Sequence, residues 1–511
     1  MPARRAGNNR PRLLIEPPRI ELFLSPAGAP GASLTRGLGD DALATAAVVP
    51  AGALAGAPAA RPESYVDPGG DPGSLRDQGW GVIAPRGDAG DRLLARIRPL
   101  LEQRAADQGA EPPVYRVPPG MTAVEAAAWI DRKLVDNALP EAIPGYLLVL
   151  GRPDQVSFEL QQALAGAFHV GRLGFDDDRA DRPGLRDAYE AYADKLVHHE
   201  RAALDPALVP APAPARVVYV TARDGTPATE LAHRLLIQPC VADAEQQRAA
   251  GKLAAELTAI DGDDPARIAD QLRAAVAQPG VLFTASHGAG APPGGWPSPD
   301  RGRALQGAPC LGRGVLLDAD AVAGAPFLPR GIWLLFACFG AGTPARSAYH
   351  PWLAQLQQHG DYAAPLAPVL ASLPTGGEPA FLAALPQAVL ARPDGPLAVI
   401  GHLDLAWSYS FCDLDKLSRG ERHRRFHTLV AQLARGTRAG LALSASLIRA
   451  RTQVLSELAA AAADPSAAPA GTDADAAHLA HRWMVLQDLA GYVVLGDPAA
   501  RLAGPGRGAS R

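Results

Sequence analysis

The stretch Val281-Leu282-Phe283-Thr284-Ala285-Ser286-His287-Gly288-Ala289-Gly290 decides the fold, together with Ile332-Trp333-Leu334-Leu335-Phe336-Ala337-Cys338-Phe339-Gly340. Each begins with a continuous apolar run of strand length and passes into a His or Cys beside glycine. A run with no polar alternation has no solvent face, so it predicts a strand covered on both sides. Leu397-Ala398-Val399-Ile400, followed by Gly401-His402-Leu403-Asp404, repeats the pattern, and Val217-Val218-Tyr219-Val220 precedes it. Thr226-Pro227 and Asp264-Pro265 are N-cap and first-turn pairs that open helices between these runs. Strands and helices in alternation predict an α/β fold with a mostly parallel sheet flanked by helices.

Outward from these runs, 216–415 reads as the α/β core that carries them and 416–503 as a helical C-terminal region that closes with the strand Tyr492-Val493-Val494-Leu495. A proline-rich linker, 201–215, separates the core from a smaller α/β subdomain over 76–200. That subdomain shows buried strands at Gly79–Ala84 and Tyr146–Leu150, and a capping-box helix starting at Thr122. Residues 1–75, rich in Pro, Gly and Ala, read as a poorly ordered or loosely attached extension with a short strand at Arg19–Leu24. Residues 504–511 read as a tail.

Composition narrows the function classes. The chain has 511 residues, 48% of them hydrophobic and 20% charged, as in globular proteins, and its length suggests two or three domains. A net charge of -4 gives no footprint for nucleic acid. The basic cluster Arg419, Arg422, His423, Arg424 and Arg425 reads as a solvated helix face. No apolar stretch is long enough to span a bilayer, and no signal sequence is evident, so the expected location is cytoplasmic. Four cysteines without a C-x-x-C pair suggest reduced thiols rather than a zinc site or disulfide scaffold. No metal or other cofactor is expected, and no compact acidic loop argues for calcium. The Ala, Gly, Pro and Arg usage resembles that of a GC-rich bacterial genome.

Ligands of an open parallel sheet gather beyond the carboxyl ends of its strands, where His287, Cys338 and His402 all fall. A thiol near neutral pH needs a base beside it, and imidazole suits that role. His287 is the candidate base for Cys338, with His402 as the alternative base or site wall. Gly288 and the Cys338 amide could form an oxyanion hole, because glycine lets backbone N–H groups approach a reacting carbonyl. Cys240, Cys310 and Cys412 read as inert buried residues. Gly340-Ala341-Gly342-Thr343-Pro344-Ala345 also fits a dinucleotide-binding pattern, although Pro344 and Pro351 interrupt the helix that such a site needs.

The order strand–His-Gly, then strand–Ala-Cys-x-Gly, resembles the caspase-like clan of cysteine peptidases, in particular gingipain-type proteins and bacterial CHAT domains. The matching residues are His287-Gly288 and Ala337-Cys338, with Phe336 where a small hydroxyl residue is usual. Leu495-Gly496-Asp497-Pro498-Ala499 and the segment Ala398–Asp404 with Ala406-Trp407 add to the likeness, which covers about 215–503. It implies a caspase-like fold, and a cysteine endopeptidase that cleaves protein or peptide substrates through a Cys338–His287 dyad and an acyl-enzyme. It also implies a choice of cleavage site by the side chain before the scissile bond, with Asp404 and Asp413 as candidates for favouring Arg or Lys there. A catalytically silent caspase-like scaffold that binds partner proteins is the alternative. Oligomeric state is not legible.

Overall fold

The computed structural model describes residues 19–39, 41–42, 69–135, 143–176, 187–204, 214–412, 422–463 and 473–503. Its strands are β1 (Leu24–Pro26), β2 (Trp80–Pro85), β3 (Val114–Val117), β4 (Tyr146–Leu150), β5 (His169–Leu173), β6 (Ala215–Ala222), β7 (Ala255–Gly262) and β8 (Val281–Ala285). They continue as β9 (His287–Gly290), β10 (Pro309–Gly312), β11 (Val315–Leu316), β12 (Ile332–Phe336), β13 (Gly342–Thr343), β14 (Phe381–Leu382), β15 (Ala398–His402) and β16 (Tyr492–Gly496).

The buried runs do become central strands: every residue of β4, β8, β12 and β15 is buried. One sheet holds ten strands in the order β3-β2-β4-β5-β16-β15-β12-β8-β6-β7, with helices packed on it. Every neighbouring pair is parallel except β15 and β16. The carboxyl ends of β2, β3, β4 and β5 and those of β6, β7, β8, β12 and β15 therefore open on opposite rims. This is the mostly parallel α/β architecture expected from the sequence.

The C-terminal strand β16 joins the two halves, with Val494 opposite Ile400 on one side and Gly171 on the other. So 76–200, 216–415 and 416–503 meet in one continuous sheet. Residues 205–213 of the expected linker lie outside the described residues, as does 504–511. Asp497, just past β16, ties the seam: it accepts from Arg104 Nε at 2.9 Å and from Trp80 Nε1 at 3.0 Å.

Residues 19–39 depart from the loose extension expected of them. Ile20, Leu22, Phe23, Leu24, Leu34 and Leu38 are all buried in the main core. Ile20 and Leu38 exchange a pair of backbone hydrogen bonds, each 2.8 Å long, which closes the segment on itself. Its glycines serve a chain reversal, with Gly28 and Gly31 at positive φ. Composition alone suggested disorder because the apolar residues are few, yet nearly all of them face inward.

A smaller sheet, β1-β9-β10-β11, covers the carboxyl rim above β8. The expected strand Arg19–Leu24 is instead two isolated bridges, at Ile20 and Leu22, leading into β1. The glycines at 340–342 run into β13 rather than into a helix. The helix N-terminus that a dinucleotide pyrophosphate needs is therefore missing from that loop.

Candidate active site

Strands β8 and β12 pair in register, Phe336 opposite Ala285, so His287 and Cys338 leave the sheet at the same level. Gly288 lies against the Cys338 peptide so closely that a Cβ there would sit 2.0 Å from the Cys338 carbonyl oxygen. Both His287 and Cys338 have no solvent exposure.

The hydrogen bonds around His287 fix its tautomer. Thr226 N-caps the helix Pro227–Ala232, and its hydroxyl donates to Asp224 Oδ1 at 2.7 Å. With its proton spent there, Thr226 Oγ1 can only accept from His287, whose Nε2 lies 2.8 Å away. Nε2 therefore carries the proton, and Nδ1 holds the free lone pair. That Nδ1 is buried without a hydrogen-bond partner. Asp224 also accepts from Thr229 Oγ1 at 2.8 Å, and its Oδ2 lies 3.6 Å from His287 Nε2.

Burial pulls the His287 pKa below the usual imidazole value, against the raising effect of Asp224. Burial also works to raise the Asp224 carboxyl, but His287 and the Thr226 and Thr229 hydroxyls outweigh it and hold it below the ordinary range. With its pKa lowered by burial the His287 ring is neutral near pH 7, the state in which it can accept a proton, and the Thr226 and Thr229 hydroxyls still hold the Asp224 carboxylate.

Around Cys338 the balance is different. Its thiol accepts from Ala406 N at 3.1 Å and donates to Ala406 O at 3.5 Å, rather than bonding to either histidine. Burial raises its pKa well above that of a free thiol. The backbone N–H groups of Gly288 and Cys338 converge on a single oxygen, the Phe23 carbonyl, at 2.9 and 3.3 Å. The Gly288 bond belongs to the ladder of the parallel β1–β9 pair, and the Cys338 amide joins it on the same oxygen.

His402 is the last residue of β15, not a residue beyond it. Its Nε2 lies 2.8 Å from Asp488 O and its Nδ1 3.2 Å from Asp404 O, so both ring nitrogens face carbonyl oxygens. Burial lowers its pKa to about 4. Asp404 adopts a positive φ, and its carboxylate accepts from Ser347 Oγ at 2.7 Å, Ala348 N at 2.8 Å and Leu405 N at 2.9 Å. Those three donors order the loop and occupy both oxygens. Burial raises the Asp404 pKa to about 6. Asp413 lies outside the described residues. Cys240, Cys310 and Cys412 are free and buried. Phe336 packs edge-on to Phe23, Phe411 and Phe426, which accounts for a large ring before Ala337-Cys338.

Asp224, Thr226 and the Phe23 carbonyl were not found from sequence. Asp224-Gly225-Thr226 follows β6, so the same rim rule that singled out His287 applied to it. Nothing local marks Phe23. Asp224→Ala would free Thr226 and leave the His287 ring unoriented. The substitution should lower the His287 pKa further, because the Asp224 charge now raises it, and a histidine NMR titration would read the shift.

Among the described residues no cluster of three or more His, Cys, Asp or Glu could hold a metal ion, and no helix is long and apolar enough to cross a membrane. No family model matches the chain, and no curated protein matches its sequence. Two solved structures are similar to it at low TM-score. One is described only as a protease, with TM-score 0.44 and 13% identity over 83% of this chain and 78% of that one. The other is gingipain R, an Arg-specific cysteine proteinase, with TM-score 0.44 and 10% identity over the same shares of the two chains. The functional reading therefore rests on the residues of the site.

Proposed function

We propose that this chain is a cysteine peptidase in which Cys338 is the nucleophile and His287 the base. His287 Nδ1 takes the thiol proton, and the thiolate attacks a peptide carbonyl carbon whose oxygen is held by the Gly288 and Cys338 amides. The C–N bond breaks, the proton passes from His287 to the leaving amine, and water hydrolyses the thioester to restore the thiol. Asp224, with Thr226, orients the imidazole. The observation that carries this reading is the pair of N–H groups already converging on one peptide carbonyl. His402 fits a site wall better than a base, given its two carbonyl neighbours. The substrate is a protein or peptide, and a reducing compartment such as the cytoplasm would keep the thiol free.

The specific observation favouring a silent, partner-binding scaffold is the bonding of the Cys338 thiol to Ala406 with no solvent exposure. The two readings separate on a peptide library analysed by mass spectrometry. The full chain is compared with a Leu22→Ser/Phe23→Gly variant that loosens the covering segment, each with and without Cys338→Ala. Cleavage that appears or rises in the loosened variant and vanishes with Cys338→Ala is expected. Cleavage that survives Cys338→Ala would remove the dyad, and no cleavage by the loosened variant would leave the scaffold.

A further inference from the structure

The segment that covers the site is bound like a guest. Residues 21–23 run antiparallel to 406–408: Phe23 N donates to Ala406 O at 3.0 Å, Ser408 N to Glu21 O at 2.9 Å, and Glu21 N to Ser408 Oγ at 3.0 Å. Leu22 bridges Trp407 in the same antiparallel sense. An extended segment laid along an existing backbone edge is a general mode of peptide recognition. The Phe23 carbonyl then enters the two-amide cradle of Gly288 and Cys338. Past it, Leu24 pairs with Gly288 in β9, and a Cβ on Gly290 would lie 2.8 Å from Leu24 Cδ1. Glycine at 290 thus makes room for the residue after Phe23.

The Phe23 ring fills an aromatic recess. It meets Phe336 edge-on at 4.7 Å between centroids, Phe411 at 6.1 Å and the His287 ring at 5.9 Å. The side chain in this place carries no charge, and the Asp404 carboxylate is spent on its own loop. The backbone hydrogen bonds between Ile20 and Leu38 close the segment on itself as one loop.

We propose that residues 21–24 occupy the peptide cleft in cis in the register of a substrate, and that the cleft takes peptides with an apolar aromatic residue ahead of the scissile bond. The proposal deepens the peptidase reading and rests on it for the meaning of the two amides. Tethering gives the segment a high effective concentration, so the full chain is latent until the loop withdraws. The same loop excludes water from Cys338, and so contributes to the desolvation of the thiol.

The test uses the full chain carrying Cys338→Ala, with and without Leu22→Ser/Phe23→Gly. The probe is a fluorescent peptide of the sequence of residues 19–26, alongside the same peptide with arginine in the place of Phe23. Fluorescence anisotropy should show binding of the phenylalanine peptide to the loosened variant, more than about tenfold tighter than the arginine peptide, since an aromatic recess rejects a guanidinium. The unloosened chain should bind neither. A preference below about tenfold, no binding to a folded loosened variant, or equal binding to the unloosened chain would overturn the proposal. Circular dichroism checks folding, with Phe23→Ala as the milder second variant. If both variants unfold, the segment is ordinary core and the proposal fails. A peptidyl acyloxymethyl ketone ending in Leu-Phe, applied to the loosened variant with Cys338 intact, reads the thiol separately. Peptide binding without Cys338 labelling would keep the cleft and its selectivity while removing the peptidase reading.

Discussion

Gly288→Ala is expected to collapse the site. The added methyl would lie 2.0 Å from the Cys338 carbonyl oxygen and 2.9 Å from that residue's carbonyl carbon and nitrogen. All three are backbone atoms at the end of a fully buried strand, so no flexible side chain can yield. Relief requires β9 to move off Cys338, which carries the Gly288 N–H away from the oxygen it now holds. Overpacking of this kind costs about 1–3 kcal/mol of stability. Loss of one oxyanion donor lowers turnover about 100- to 1000-fold. Gly377→Ala, where an added Cβ meets nothing within 4 Å, is the matching control and should be neutral in both measurements. Urea unfolding of the full chain reads the first effect, and peptide hydrolysis in the loosened Leu22→Ser/Phe23→Gly background reads the second. A Gly288→Ala variant with ordinary stability and turnover would show that the glycine is not needed for close approach.

Asp497→Ala is expected to be the most destabilising change outside the site. Arg104 is wholly buried, and Asp497 meets it through Nε at 2.9 Å and Nη2 at 2.7 Å. Glu200 and Asp107 also contact the guanidinium, at 2.6 Å each, so the charge is not wholly abandoned. The substitution also strips acceptors from Trp80 Nε1 and from Ala499 N. Removing one partner of a buried ion pair costs about 3–5 kcal/mol, and the remaining carboxylates should keep the loss near the lower end. Asp497→Asn, which retains one acceptor oxygen, should lose less. A fall in the urea midpoint corresponding to less than about 1 kcal/mol would mean that the seam does not depend on this network.

The sheet was largely legible because its central strands are covered on both faces and read as unbroken apolar runs. Tyr146–Leu150 and Ile332–Phe336 match β4 and β12 residue for residue. The strands that escaped notice break that rule for identifiable reasons. β5 carries Arg172, a buried charge that reads as a surface residue. Its guanidinium is met by Gln161 Oε1 and by the carbonyls of Gly151, Val156 and Ser157. β7 is an edge strand with Glu256 exposed, and β3 is short and largely uncovered.

Within the candidate site, His287, Gly288 and Cys338 stand out in the sequence only by their places after strands. Thr226 was visible only as a helix cap, and its second task, accepting the His287 proton, depends on a residue far along the chain. The covering segment was the least legible part. Its hydrogen bonds join residues 21–23 to 406–408, and no periodicity within a sequence window can show a pairing over such a distance.

The central claim is that His287 activates Cys338. Site-resolved alkylation with limiting iodoacetamide tests it most directly, followed by mass spectrometry at all four cysteines in the loosened Leu22→Ser/Phe23→Gly chain with His287→Ala and His402→Ala alongside. The account predicts that Cys338 labels fastest of the four near neutral pH, that His287→Ala removes this advantage, and that a folded His402→Ala variant keeps it. Cys338 labelling no faster than Cys240, Cys310 and Cys412, or labelling indifferent to His287→Ala, would contradict it.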